Sequence, residues 1–230
     1  MKVFEYTNQG CREENQDYVV HGSLPNNSGV YIVADGMGGY AEGAVAAKVV
    51  GDALLDYVEM NYTKFEPAIL LRKAIPFAND ALMLKRIALG TSKMGCVITV
   101  LLISNGYAYL TWLGDSRIYM YRDGVEVYRT EDHSIINELA KIKTLAASSY
   151  EKYSSIVTKS IMGSEPVDVA PIRRIKIEQG DVFVLCTDGL HKELDMIQVL
   201  NYDDSKKAEF DSMASNVSDN FSFIKIDIGY

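Results

Sequence analysis

Cysteine, proline and positive charge are all scarce in this chain. The three cysteines, Cys11, Cys96 and Cys186, are far apart, odd in number and form no Cys-x-x-Cys pair. This argues against a disulfide framework and a thiolate zinc site, and it fits a reducing cytoplasm. Five prolines in 230 residues provide no Pro-rich linker, and there is no repeat or low-complexity tract. One domain spanning residues 1–230 is therefore expected. Lysine and arginine number 23 against 31 acidic residues, a net charge of −8. Such a surface repels nucleic acid and anionic lipid, so neither is expected as a partner. An anionic ligand can still bind where local cations reverse the sign. Long hydrophobic runs are missing too. The longest, 97–103, is far too short to span a bilayer. Residues 1–6 lack the apolar stretch of a signal peptide. The expectation is a cytoplasmic protein, monomeric by default.

What is present is globular in composition, 48% apolar and 23% charged. Residues 18–22 and 29–34 read as strands around the turn-forming Pro25-Asn26-Asn27-Ser28. From Ala41 the period changes to that of a helix, with Val45, Val49, Val50, Leu54 and Val58 on a broad buried face. A second helical stretch covers about 66–88. Pro67 suits its first turn, and Pro76 is expected to kink or break it. Strand patterns return at 95–104, 106–113 and 116–121. Asn105-Gly106 and Asp123-Gly124 read as tight turns. A polar helical stretch is expected at about 134–162, strands at 171–177 and 182–187, helices at 190–200 and 204–216, and a last strand at 221–228. Helices between sets of antiparallel-looking strands suggest a layered α+β domain.

Two apolar strands end in the same way, as Val33-Ala34-Asp35-Gly36 and Cys186-Thr187-Asp188-Gly189. Either alone reads equally well as a plain loop. Helical patterns follow both, however, where a hairpin would need a second strand. Asp115 closes another apolar strand, Tyr109–Leu113. Asp17 and Asp219 each stand just before a strand. If these ends converge, several carboxylates crowd one edge of an apolar core, which raises their pKa values. Hard divalent cations with oxygen ligands resolve that conflict. Glycine beside the Asp lets the backbone come close, so that its carbonyl can serve as a ligand.

In order, Arg12-Glu13-Glu14-Asn15-Gln16-Asp17, Ala34-Asp35-Gly36-Met37-Gly38-Gly39, Gly114-Asp115-Ser116-Arg117, Cys186-Thr187-Asp188-Gly189-Leu190 and Ser218-Asp219-Asn220 run almost the length of the chain. This ordered set resembles the metal-dependent Ser/Thr protein phosphatases of type 2C, in a bacterial style. The resemblance implies a four-layer αββα sandwich, with two central antiparallel sheets flanked by helices. It implies two Mn²⁺ or Mg²⁺ ions in the core site. Asp35 would bridge them, Gly36 would offer its carbonyl to the second, and Asp188 and Asp219 would complete the shell of the first. Asp17 would act through a coordinated water. Asp115 with Asp188 would hold a third ion, and Arg12 would bind the substrate phosphate. A water activated between the metals would attack in line, without a phosphoenzyme. Substrates would be phosphoproteins made by a Ser/Thr kinase.

The sequence departs from the family pattern in places. Gln16 stands where many members carry Glu, which removes a charge near the second metal. Cys96-Val97 replaces Thr-Thr, with Cys96 read as a buried structural thiol. Residues 135–166 match a compact, divergent flap. Arg117 is read as an ion-pair residue, His133 as a structural hydrogen-bonding residue, and His21 and His191 as ordinary. Two alternatives stay open: a non-catalytic relative that binds a phosphoprotein or kinase, and a hydrolase of small phosphate esters.

Overall fold

The chain alternates two kinds of segment, apolar strands closed by Asn or Asp turns and helices with one apolar face. The structure, a computed structural model, describes residues 1–37, 42–91, 93–142, 153, 156–164, 167 and 171–229. Its strands are β1 (Lys2–Asn8), β2 (Asp17–Leu24), β3 (Ser28–Gly36), β4 (Cys96–Ser104), β5 (Tyr107–Leu113), β6 (Arg117–Arg122), β7 (Val125–Arg129), β8 (Arg173–Lys176), β9 (Val182–Cys186) and β10 (Phe221–Asp227). Its helices are α1 (Gly43–Asn61), α2 (Pro67–Leu89), α3 (Ile135–Ala140), α4 (Asp188–Glu193), α5 (Met196–Leu200) and α6 (Lys207–Ala214).

One sheet has the order β1-β10-β9-β6-β7 and the other β2-β3-β4-β5-β8. The paired neighbours are antiparallel throughout. Asn105 (φ +51°) and Asp123 (φ +50°) open the two tight hairpins foreseen in the sequence. Strand alternation sorts the apolar residues into three layers. Val30, Ile32 and Ala34 of β3 face α1 and α2, while Tyr31 and Val33 point the other way. There they meet Ile118, Phe183, Leu185 and Ile224 of the opposing sheet. The other face of that sheet packs Tyr6, Phe221 and Phe223 against Tyr202 and Phe210. The result is the expected αββα sandwich. Among the described residues no helix is long and apolar enough to cross a membrane.

Several expectations fail locally. Helix α2 runs through Pro76 without a break. The neighbours Ala74, Ile75 and Ala78 are buried, whereas Pro76 is exposed. The unmade backbone bond therefore falls on the solvent side, and packing on the sheet holds the helix. The stretch 134–162 is not one helix. Helix α3 ends at Ala140, Val157 bridges Ser134, and Ile161 bridges Cys96 with two backbone bonds. Residues 143–152, 154 and 155 of that stretch lie outside the described residues, as do Gly38 and Gly39. The helix expected at 190–200 is two short ones, because the Asp195 side chain accepts from Ile197 N (2.9 Å) and starts α5 anew. Strand β1, an edge strand with only Tyr6 buried, shows too little alternation to be read from sequence.

Candidate active site

The site grows from the same alternation that builds the core. Residues 31, 33 and 35 of β3 share the face between the sheets, so Asp35 continues the row of Tyr31 and Val33 to its edge. Asp17 lies directly opposite Asp35 in the β2–β3 register. Two carboxylates thus stand side by side where apolar side chains would otherwise end the core. The second sheet supplies the other half. Thr187, just past β9, reaches across and donates to Asp17 Oδ2 (2.9 Å). Asp17 Oδ1 is buried and has no hydrogen-bond partner. Asp188 opens α4, and Asp219 stands just before β10. Asp115 lies in the connection from β5 to β6 and is buried. Arg12, Gln16, Asp35, Gly36, Asp115, Asp188 and Asp219 line one cavity of about 820 Å³.

The glycines after Asp35 and Asp188 have a packing reason. A Cβ on Gly36 would stand 2.3 Å from the Gly43 carbonyl oxygen, and one on Gly189 would stand 2.1 Å from the Asn220 oxygen. Only the bare backbone lets α1 and the β10 approach come this near.

The charges decide the character of the cavity. Burial pushes the Asp35 carboxyl well up, and Asp17, Asp188, Asp115 and Asp219 add repulsion. Burial likewise takes Asp17 to about 7, opposed by hydroxyls of Ser222 and Thr187 and reinforced by Asp188 and Asp219. Asp115 rises to about 6, again mainly by burial. Asp188 goes the other way. Burial favours its neutral form, but the charge and hydrogen bond of Lys192 outweigh that, with help from a proton donated by Asp35. Arg12 Nη2 donates to Asp219 Oδ2 (2.7 Å), and Lys192 Nζ donates to Asp188 Oδ2 (2.5 Å). Among the described residues no three Asp, Glu, His or Cys side chains close into a ligand shell. Side-chain cations stand on the outer carboxylates instead.

Residues 12–222 match the family model described as Protein phosphatase 2C. The chain belongs to the protein phosphatase 2C family. Protein phosphatase PhpP of Streptococcus pneumoniae is 32% identical over 189 residues, which are 78% of this chain and 74% of PhpP. The Streptococcus agalactiae serine/threonine phosphatase structure superposes with TM-score 0.81 at 26% identity, covering 99% of each chain. The catalytic domain of the phosphatase PstP, solved with two manganese ions, superposes with TM-score 0.81 over 100% of this chain and 98% of that one. Its 22% identity speaks for the fold alone.

On this phosphatase framework the five Asp residues read from the sequence come together, with Arg12 and Gly36 on the same cavity. Arg117 is an ion-pair residue, forked onto Asp132 at 2.7 Å through both Nε and Nη2. His133 closes the loop around Gly114 and stacks on Trp112. Cys96 is fully buried. His191 is less ordinary than its context suggested. Its Nε2 lies 3.0 Å from the Asp115 carbonyl oxygen, and burial with the Arg117 charge lowers its pKa to about 4, so it is neutral.

Three contributors went unassigned in the sequence. Asn220 accepts from Gln16 N and donates to Gln9 O and Glu14 O, which pins the loop carrying Arg12. Thr187 also accepts from Ser222 N, so one hydroxyl links Asp17 to β10. Lys192 belongs to none of the motifs. Its spacing of four from Asp188 was the available signal.

Proposed function

We propose that this chain is a metal-dependent protein Ser/Thr phosphatase that hydrolyses phosphoserine and phosphothreonine monoesters, the products of a Ser/Thr kinase. The observation that carries the reading is the meeting of Asp35, Asp115, Asp188 and Asp219 on one cavity, with Asp17 buried beside Asp35. Left alone, that cluster is electrostatically unfavourable, with one carboxylate oxygen of Asp17 buried and unpartnered. A pair of hard divalent cations fits such an all-oxygen set. Asp35, the Gly36 carbonyl, Asp188 and Asp219 would hold Mn²⁺ or Mg²⁺, with Asp17 behind them. When bound, the ions supply positive charge and a water acidic enough to attack at neutral pH.

The protein's own part is binding and orientation. Arg12 sits on the cavity wall, and its side chain is half-exposed. Releasing an exposed pair costs little, so the planar fork can pass from Asp219 to two phosphate oxygens. Thr187 and Asn220 hold Asp17 and the Arg12 loop in place. Neither buried thiol competes as nucleophile, because burial raises Cys96 and Cys186 and keeps both protonated. Three free thiols suit a reducing cytoplasm as the working compartment.

The test is turnover of a phosphoserine or phosphothreonine peptide with and without Mn²⁺, against Asp35→Asn. Metal-dependent release of phosphate that the variant lacks supports the proposal. Clean, folded protein with no metal-dependent turnover removes it.

A further inference from the structure

One corner of the cavity already contains its own cation. Lys192 lies one helical turn after Asp188 on α4 and donates to its Oδ2 at 2.5 Å. The same ammonium stands 3.9 Å from Asp115 Oδ2. An ordinary i,i+4 pair on a helix surface joins two exposed side chains of one helix. Here the lysine side chain is 45% exposed, but the carboxylates it reaches are sheltered. The Asp115 and Asp188 side chains are only 11% and 20% exposed, and Asp115 comes from a loop before β6. The contact is also braced. His191, the residue before Lys192, meets the Asp115 backbone oxygen at 3.0 Å, so two successive residues of α4 dock on the same loop.

We infer that Lys192 is the resident cation of the Asp115–Asp188 corner and that this corner does not take a divalent ion. The inference rests on the metal reading of the site and refines it, from two or three ions to two. A divalent ion between Asp115 and Asp188 would share both carboxylates with an ammonium of the same sign, in a pocket where water screens poorly. Lys192 is covalently tethered, so no ion of ordinary concentration dilutes it out. Asp188 remains available to the core site, since Lys192 bonds only its Oδ2 and Asp188 lines the same cavity as Asp35. The core pair of carboxylates, Asp17 and Asp35, has no such tethered partner among the described residues.

The experiment counts bound Mn²⁺ per chain, by electron paramagnetic resonance of the free ion during titration. It compares wild type with Lys192→Met, which keeps length and loses charge, and with Lys192→Arg, which keeps charge. The expected result is two ions for wild type and Lys192→Arg and three for Lys192→Met. Adding Asp115→Asn to Lys192→Met should return the count to two. Circular dichroism verifies that each variant is folded, and the Lys192→Arg arm stands even if Lys192→Met is not. Three ions on wild type or on Lys192→Arg, or two on folded Lys192→Met, overturns the inference. Two ions on wild type with phosphatase turnover keeps the metal reading whatever Lys192→Met does. No bound Mn²⁺ at all removes that reading and the inference with it.

Discussion

Asp17→Asn should abolish part of the pH dependence of stability in the metal-free protein. Asp17 is held at about 7 in the fold against an ordinary value of 3.8, mainly by burial. A carboxyl with a raised folded pKa binds its proton more tightly when folded. Its cost to stability therefore begins as pH rises through the unfolded value and is complete above the folded one. At 1.36 kcal/mol per pKa unit, the roughly three-unit rise amounts to about 4 kcal/mol above pH 8. About 2.5 kcal/mol of that accumulates between pH 5 and pH 8. Asparagine keeps an oxygen for Thr187 but sets an amide where Oδ1 now has no partner, costing about 1–3 kcal/mol at every pH. The absolute stabilities are therefore less informative than the slopes. Urea unfolding in EDTA, followed by fluorescence at several pH values from 5 to 8, supplies them. Wild type should lose about 2.5 kcal/mol more than the variant across that range. Asp115 titrates in both proteins and cancels, while Asp35 loses the Asp17 repulsion in the variant, which widens the difference in the same direction. Parallel stability curves would refute the account of the site as a buried, uncompensated carboxylate pair.

Other perturbations follow from the same geometry. Mn²⁺ at 100 times its dissociation constant should stabilise wild type by about 2.7 kcal/mol, visible as a rise in Tm that Asp188→Ala abolishes. Arg12→Ala should lower kcat/KM for a phosphopeptide about 10- to 100-fold, about 1.4–2.7 kcal/mol, while the urea midpoint stays put because Arg12 is exposed. Arg117→Met should destabilise by about 3 kcal/mol in urea, since it strands the mostly buried Asp132 carboxylate. Gly189→Ala drives a methyl into the Asn220 carbonyl and should cost about 1–3 kcal/mol, with a smaller Mn²⁺ shift because Asp188 and Asp219 are moved apart.

The acidic half of the site was legible because each Asp sits at a strand end or a strand approach, and strand ends in a layered domain gather along an edge. Even the facing of Asp17 and Asp35 follows from period-two alternation once β2 and β3 are paired. Of the cations, Arg12 was legible in its motif and Lys192 was not. Lys192 lies in a short polar helix, and its second partner, Asp115, is distant in sequence and joined to it only by the packing of α4. The Asn220 clamp is hidden for a related reason, since its partners at 9, 14 and 16 belong to a loop with no pattern of its own. Pro76 misled because its helix-breaking tendency is local, while the apolar face that holds α2 is tertiary.

The distribution of counter-charge over the five carboxylates explains why one fold edge can be both stable and reactive. Asp219 and Asp188, toward solvent, have Arg12 and Lys192, and Asp115 shares Lys192. Asp17 and Asp35, at the end of the core between the sheets, have hydroxyls and each other. By alternation these two positions belong to the row of Tyr31 and Val33, so apolar residues there would extend the core and stabilise the fold. Two acids in their place gain nothing in folding unless positive charge arrives from outside. A third fixed cation between them would relieve the repulsion permanently and leave no position for an exchangeable ion. The inner pair therefore lacks what the outer corner has, and that difference separates the part of the site suited to divalent ions from the part a side chain has already filled.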